Sequence, residues 1–398
     1  MSSPWPGTGA GETAGSEMSA GSLRDRGTAP RTATAGATIA VAERAGDSVP
    51  FMSIVLCAYN SEAVIARALD SLLAQNYPDD LFEVIVVDDA STDRTAEIAR
   101  RYPVRVVVHS ENRGLGSARG TGLDHARGDV FVCFDDDCTV GPEWLGNLAK
   151  GYQQLDAVGI GSVVHQPTEH RGLADRFLAA CTSNSPPLEL GVSKHPLRRF
   201  LAYVVDQMNP RSEYSGIIPV CELNGASATF RMTVLNAVGG WNRSLRLTED
   251  IDICARIRQA YPEAKFYTIS TARVTHDDLR FTLRKLVRRS YVRGPETLRY
   301  YHRNGLMPPI FPYPLAWLLA VACAGIVEGP LWCLPAALIA PYLLYLWWPV
   351  RAVRERSFWP LLFGYVQLAE ESATIAGLAR AKVGALLPSA GARSAKRR

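Results

Sequence analysis

Apolar and polar residues alternate in blocks from residue 51 onward. SIVLCAY (53–59) is a continuous apolar run, the pattern of a strand buried on both faces. NSEAVIARALDSLLAQN (60–76) opens on a capping Asn or Ser. It repeats apolar residues at Val64, Ile65, Ala68, Leu69, Leu72 and Leu73, which predicts a helix. FEVIVVDDAS (82–91) predicts a second buried strand with acids at its end, STDRTAEIARRY (91–102) a helix and VRVVVH (104–109) a third strand. GLGSARGTGLDHA (114–126) reads as a Gly-rich turn entering a helix, and DVFVCFDDD (129–137) as a fourth strand. This alternation of strand and helix predicts an α/β domain, with a mostly parallel, Rossmann-like sheet and helices on both faces.

The pattern changes twice. Residues 1–50 are rich in Gly, Ala, Ser, Thr and Pro without periodicity and are expected to be disordered. Their apolar stretch TIAVA (38–42) is too short for a signal-peptide core. The α/β domain is expected over 51–280, ending in further short elements, and basic juxtamembrane helices over 281–309. Residues 310–327 and 331–350 then form two uncharged runs separated by Glu328, Gly329 and Pro330. Their lengths predict a membrane hairpin over 310–350, with a buried helical pair or a re-entrant hairpin as the plainer reading. Arg280, Arg284, Lys285, Arg288, Arg289, Arg293, Arg299 and Arg303 precede it, and Arg351, Arg354 and Arg356 follow. Basic flanks on both sides are expected to set both ends, and the α/β domain, on the cytosolic side of the inner (plasma) membrane. Trp347, Trp348 and Trp359 suit an interfacial belt. Residues 351–398 read as an interfacial or packed third helix, carrying Glu370 and Glu371, followed by a basic tail.

Composition narrows the function. A net charge of +4 argues against a general nucleic-acid binder. The eight cysteines form no CxxC pair and mostly sit in apolar runs, so they read as reduced core thiols.

The acids carry the chemistry. Asp88–Asp89 and Asp135–Asp137 end two different strands, and the carboxyl rim of such a sheet is where ligands bind. Adjacent carboxylates there suit Mg²⁺ or Mn²⁺ shared with a phosphate-bearing ligand. ENRGLGSARG (111–120) offers glycines that free the backbone to approach a ligand and a helix N-terminus beyond them. Glu249 and Asp250, in LTEDIDICARI (247–257), stand before helical spacing and are either capping acids or a general base.

Taken in order, SIVLCAYNSEAVIARALDSLLAQ, VIVVDDASTDRT, ENRGLGSARGTGLDHARGDVFVCFDDDC, ELNGASATFRMTVLNAVGGWNRSL and TEDIDICARI resemble the inverting family 2 glycosyltransferases of GT-A fold. The match runs from 53 to 257, about half the chain. The resemblance implies that Asp89 contacts the nucleotide base and that Cys57, Ala58, Tyr59 and Glu62 line the nucleotide pocket. It implies Asp135, Asp136 and Asp137 at the metal and sugar diphosphate, with Asp137 as direct metal ligand and Asp136 as the ribose or sugar contact, and Asp250 as catalytic base beside Glu249. Arg119 is the candidate for reaching the donor phosphates. His276, in VTHDDL, is a candidate late contact to metal or diphosphate, against a purely structural histidine. Asn224 and Gly225, with Trp241 nearby, are assigned to the acceptor side, although apolar packing explains Trp241 equally well. Processive members carry a QxxRW motif; RRSYVRG (288–294) stands in that region without the Gln or Trp, so one sugar per encounter is expected.

The implied activity is metal-dependent transfer of one sugar from a nucleoside-diphosphate sugar to a hydroxyl acceptor, either lipid-linked or part of a cell-envelope glycan. The competing readings are an inactive membrane scaffold that keeps the fold, a sugar nucleotidyltransferase, and an NAD enzyme built on RGLGSARG. That segment follows the third strand and lacks the full GxGxxG spacing.

Overall fold

The computed structural model describes residues 49–165, 172–181, 216–276, 282–303 and 313–386, with a few positions between 195 and 208. The tail expected to be disordered lies almost wholly outside the described residues, and so do parts of the basic segment and of the first apolar run.

The first half follows the sequence pattern. Strands β1 (Met52–Ala58), β2 (Phe82–Asp88), β3 (Arg105–Val108) and β4 (Val130–Asp135) are parallel neighbours in the order β3-β2-β1-β4. Helices α1 (Ile65–Leu73), α2 (Thr95–Ala99) and α3 (Leu115–His125) connect them. Residues of β1 alternate between two cores, as a period of two requires. Met52, Ile54 and Leu56 pack with Ile65, Leu69 and Leu72 of α1 and with Trp144, Leu145 and Leu148 of α4 (Trp144–Gln154). Val55 and Cys57 pack on the opposite face with Ala118 of α3, Val234 and Leu235 of α6 (Met232–Ala237), and Ile253 and Ile257 of α7 (Glu249–Ala260).

Beyond β4 the sheet is mixed rather than mostly parallel. β8 (Thr229–Arg231) pairs antiparallel with β4 and with β6 (Gly159–His165). β9 (Phe266–His276) runs parallel to β6 and antiparallel to β5 (Cys138–Val140) and β7 (Ile217–Val220).

The segment after 281 forms a helical layer. α8 (Leu283–Arg303) packs along α12 (Trp359–Leu386), while α9 (Tyr313–Val327), α10 (Cys333–Leu344) and α11 (Trp347–Arg354) lie beside them. α5 (Leu173–Cys181) reaches from the sheet domain into this layer through Phe177, which sits against Trp348 and Phe363.

Three expectations for this layer are corrected. The run 331–350 is not one helix: α10 ends at Leu344 and α11 starts at Trp347, with a 71° bend between them. Pro349 explains the break, because proline is tolerated in the first turn of a helix and not in its interior. Trp347 and Trp348 are buried, and both indole N–H groups donate to Gln367 Oε1, so neither forms an interfacial belt. Arg351 is buried too and donates to Ala180 O and Glu355 Oε1, so it is an internal tie rather than a solvated flank. Among the described residues no single helix is long and apolar enough to cross a membrane; the bent pair reaches that length together, and α9 is a shorter apolar helix. Seven cysteines are seen as free thiols, five of them buried, while Cys323 is exposed and Cys333 half-buried on the apolar helices.

Candidate active site

The register of the sheet sets the rim. Ala58 pairs with Asp88 across β1–β2, and Cys57 pairs with Asp135 across β1–β4, so both acid clusters end at one level. Cys57 and Ala58 are buried between them, and Tyr59 N donates to Asp136 Oδ2 at 3.3 Å. The loops after β1 and β2 are stitched together: Asn60 N donates to Ser91 Oγ and Thr92 N to Asn60 Oδ1. Glu62 belongs to this stitching, since its carboxylate accepts from Arg94 N at 3.2 Å and its side chain faces solvent. Asn60, Ala90 and Thr248, all at this rim, hold positive φ of 53°, 62° and 64°. Non-glycine residues rarely adopt that conformation, and it concentrates at functional loops.

Asp88 and Asp89 separate into two roles. Asp89 is fully buried; its carboxylate accepts from Arg113 N and Gly114 N at 2.9 and 2.8 Å and lies 2.6 Å from His109 Nδ1. His109 Nε2 in turn meets Thr121 Oγ1 at 2.9 Å. The expected base contact by Asp89 is therefore corrected, because its carboxylate is committed to the loop that opens α3. Asp88 Oδ1 accepts from Ser91 N, and its Oδ2 is buried without a partner, which leaves Asp88 as the acceptor at this edge.

The glycines of α3 are corrected in the same way. The Asp89 carboxylate occupies the helix N-terminus offered to a ligand. A side chain at Gly116 would meet Asn242 O and Leu245 O at 2.5 and 2.6 Å, and one at Gly114 would meet Arg246 Cγ at 2.7 Å. These glycines admit the 242–246 loop of the protein itself.

Arg119, expected at the donor phosphates, is 1 % exposed. Its guanidinium donates to Asp135 Oδ1 at 3.1 Å, to Gly225 O at 2.9 Å and to Glu249 Oε1, and lies 5.3 Å from the Trp241 ring centroid. It ties β4, the 224–227 loop and α7 together from below. A Cβ at Gly225 would lie 2.6 Å from both terminal nitrogens of Arg119, which is why glycine stands there. Trp241 is buried against Phe131 and Phe230, so its assignment to the acceptor surface is also corrected. Asn224 Oδ1 caps the same loop by accepting from Ala226 N.

Asp136 is buried and accepts from Tyr59 N and from the Ser61 hydroxyl. Burial, then the charge of Asp137, pushes its carboxyl well above the usual range, the Ser61 hydrogen bond opposing and the Asp135 charge adding. Such a cluster ionises readily only beside a positive charge. Asp137 and His276 supply a place for one. The β5–β9 register sets Cys138 opposite His276, bringing His276 Nε2 to 3.3 Å from Asp137 Oδ1. The ligand atoms of Asp137, Cys138 and His276 lie within 4.8 Å of one another. Burial, then the charges of the three aspartates, pushes the Cys138 thiol up; Cys138 is fully buried, while Asp137 and His276 are the partly exposed pair. One carboxylate and one imidazole suit a divalent cation of the Mn²⁺ type.

Across the rim, Asp250 Oδ2 accepts from Gly225 N at 3.0 Å and Oδ1 from Ile251 N at 2.9 Å. Glu249 is buried with Oε2 unpartnered. Burial raises its carboxyl to about 7, the Arg119 guanidinium opposing and the Asp250 charge adding. Sequence reading set Asp88 at the rim without giving it a role of its own, and it missed Ser61. Both stand within three residues of a strand end, the signal that could have found them.

Residues 53–196 match the family model described as glycosyl transferase family 2. That stretch carries a glycosyl transferase family 2 domain. Its curated relatives include glycosyltransferase AglE of Haloferax volcanii, 31% identical over 121 residues, or 29% of this chain and 39% of that one. A beta-monoglucosyldiacylglycerol synthase of a Nostoc species is 27% identical over 53% of this chain and 42% of its own. An undecaprenyl-phosphate 4-deoxy-4-formamido-L-arabinose transferase of Shewanella sediminis is 29% identical over 44% and 55%. The chain thus spans between a third and little more than half of these relatives' lengths. Among solved structures, the mannosyltransferase PcManGT of Pyrobaculum calidifontis, in complex with GDP-Man and Mn²⁺, superposes with a TM-score of 0.51 at 19% identity. The likeness covers 84% of this chain and 88% of that one, and it shows a GT-A-like fold.

Proposed function

We propose that the chain transfers one sugar from a nucleoside-diphosphate sugar to the hydroxyl of a lipid-linked or cell-envelope acceptor, with inversion at the anomeric carbon. The reading rests above all on one observation: Arg119 and Gly225 lock the acids of β4 and the acids of α7 onto opposite sides of a single rim.

In this reading Asp88 Oδ2 accepts from the nucleotide base, and the backbone at Cys57–Tyr59 forms the pocket wall. Asp135 and Asp136 orient the sugar diphosphate. Asp137 and His276 hold Mn²⁺ or Mg²⁺. When bound, that cation supplies positive charge against the departing diphosphate. Asp250 takes the acceptor hydroxyl proton while the oxygen attacks the anomeric carbon and the bond to the diphosphate oxygen breaks. Both Asp250 oxygens are held by backbone N–H groups, which fixes its direction. Asn224 and Gly225 border the acceptor side. Lacking the processive motif, the chain releases its product after one addition.

The apolar helices and their basic flanks support a place at the cytosolic face of the inner (plasma) membrane. Two relatives are named for a lipid phosphate and a diacylglycerol product, which favours a lipid-borne acceptor.

The experiment is a transfer assay on membranes carrying the full-length protein, with labelled nucleoside-diphosphate sugars and extracted lipid acceptors. Wild type forms a glycosylated lipid, and Asp250→Asn lowers the rate by about 10²–10⁴. Free sugar released without any glycosylated product, or an unimpaired Asp250→Asn, would overturn the reading.

A further inference from the structure

Between α8 and α12 runs a groove of about 870 Å³, apart from the rim described above, lined by Leu283, Val287, Tyr291, Ala373 and Ala376 and edged by Arg284, Lys285 and Arg288. Its walls are fixed. Leu286 is fully buried beneath it, and Ser290 Oγ donates to Glu370 Oε1 at 3.0 Å. The two helices touch backbone to backbone, since a side chain at Gly294 would meet Thr374 O at 2.7 Å and one at Gly377 would meet Tyr291 O.

The floor is apolar and the edge is cationic. Arg and Lys lay their stems along apolar surface and keep their charge in water. Arg284 and Arg288 form no ion pair among the described residues, and the nearby Glu370 faces Arg289 and Arg293 instead. At the far end Arg380 lies over the Tyr291 ring and donates to its hydroxyl at 3.3 Å. An occupant must therefore match positive charge at one edge and apolar area below it. α12 also packs against α9 and α10, whose outward faces leave Leu319, Ile326, Leu334 and Leu343 more than half exposed. Apolar area of that kind, on the same layer as the groove, marks a lipid-facing surface.

We propose that this groove seats one anionic phospholipid of the bilayer surface, with its phosphate on Arg284, Lys285 and Arg288 and an acyl chain along Val287, Tyr291 and Ala373. The proposal rests on the reading of the chain as a membrane-surface enzyme. It anchors the helical layer, and through α5 and Phe177 it sets the sheet domain against the membrane.

Flotation of the full-length protein with phosphatidylcholine vesicles, with and without phosphatidylglycerol, tests this, together with native mass spectrometry of the bound lipid. Phosphatidylglycerol should raise the bound fraction of wild type, with one molecule retained per chain. Each basic residue near an anionic surface contributes about fivefold, so R284Q/R288Q should lower partitioning about 25-fold. Ala376→Trp keeps every charge but fills the groove and should abolish the retained lipid; Val287→Gln serves the same end if the first variant fails to fold. Retention of the lipid by the groove variant that folds would leave only surface attraction and overturn the site. Equal binding to both vesicles would overturn the headgroup preference and the proposal with it. Stabilisation by nucleoside-diphosphate sugars, measured on the same samples, is independent of the groove. Its absence in wild type would sink the transferase reading, and its retention in variants that lose lipid shows an intact donor domain.

Discussion

Gly225 shows how one residue can hold the site together. Its carbonyl accepts from Arg119, its amide donates to Asp250, and the space where a side chain would stand is filled by the guanidinium. Gly225→Ala should force Arg119 out of a fully buried position, destabilise the domain by about 1–3 kcal/mol in chemical denaturation, and lower transfer at least tenfold. The place of Asp135–Asp137 and Asp250 at strand ends and a helix start was legible in the sequence, whereas His276 was raised only through the family resemblance. Asp88 and Asp89 were not separable there. Neighbours in an extended chain point to opposite sides, and only the structure shows which one turns inward. Arg119 was misjudged for a related reason: its partners lie 16, 106 and 130 residues away. Asp89→Asn should loosen the 109–114 loop and cost stability, whereas Asp88→Asn should raise KM for the donor with little change in melting temperature. Comparing KM and thermal melting for the pair checks that division.

At the scale of elements, continuous apolar runs made β1 to β4 readable, along with the helices between them. The other half of the sheet was not readable, because β5, β7 and β8 are three or four residues long and carry no periodicity. Their pairing is set by partners distant in sequence. The C-terminal run 331–350 misled for a different reason: composition reads through Pro349, but a helix does not. α12 carries a titratable latch. Glu371 accepts from Tyr345 Oη at 2.8 Å and from Gln367 Nε2 at 3.0 Å, and burial raises its carboxyl from 4.5 to about 7. A carboxyl raised in the folded state binds its proton more tightly there than in the unfolded chain. Its contribution is fully present below about pH 4.5 and is lost as pH rises through about 7. Glu371→Gln cannot ionise, and its amide oxygen still accepts from Gln367 while its N–H donates to a turned Tyr345 hydroxyl. Thermal melts from pH 5 to 8 should show wild type losing up to about 3 kcal/mol that the variant keeps. Parallel curves for the two proteins would contradict the latch.

For the molecule as a whole, a sheet domain that presents acids along one rim is joined through α5 to a helical layer with an apolar outer face. The acids and the apolar layer are what a donor site facing a lipid-borne acceptor requires, and neither depends on the small net charge of +4. The central claim is that Asp137 and His276 hold a cation that completes a nucleoside-diphosphate-sugar site. The direct measurement is the melting temperature of the full-length protein with UDP-, GDP- and dTDP-sugars, in Mn²⁺ and then in EDTA, beside Asp137→Ala and Asp250→Asn. One nucleotide class should stabilise wild type and Asp250→Asn equally in Mn²⁺, with the shift lost in EDTA and in Asp137→Ala. A shift that survives EDTA and Asp137→Ala, or no shift with any donor, would contradict the account.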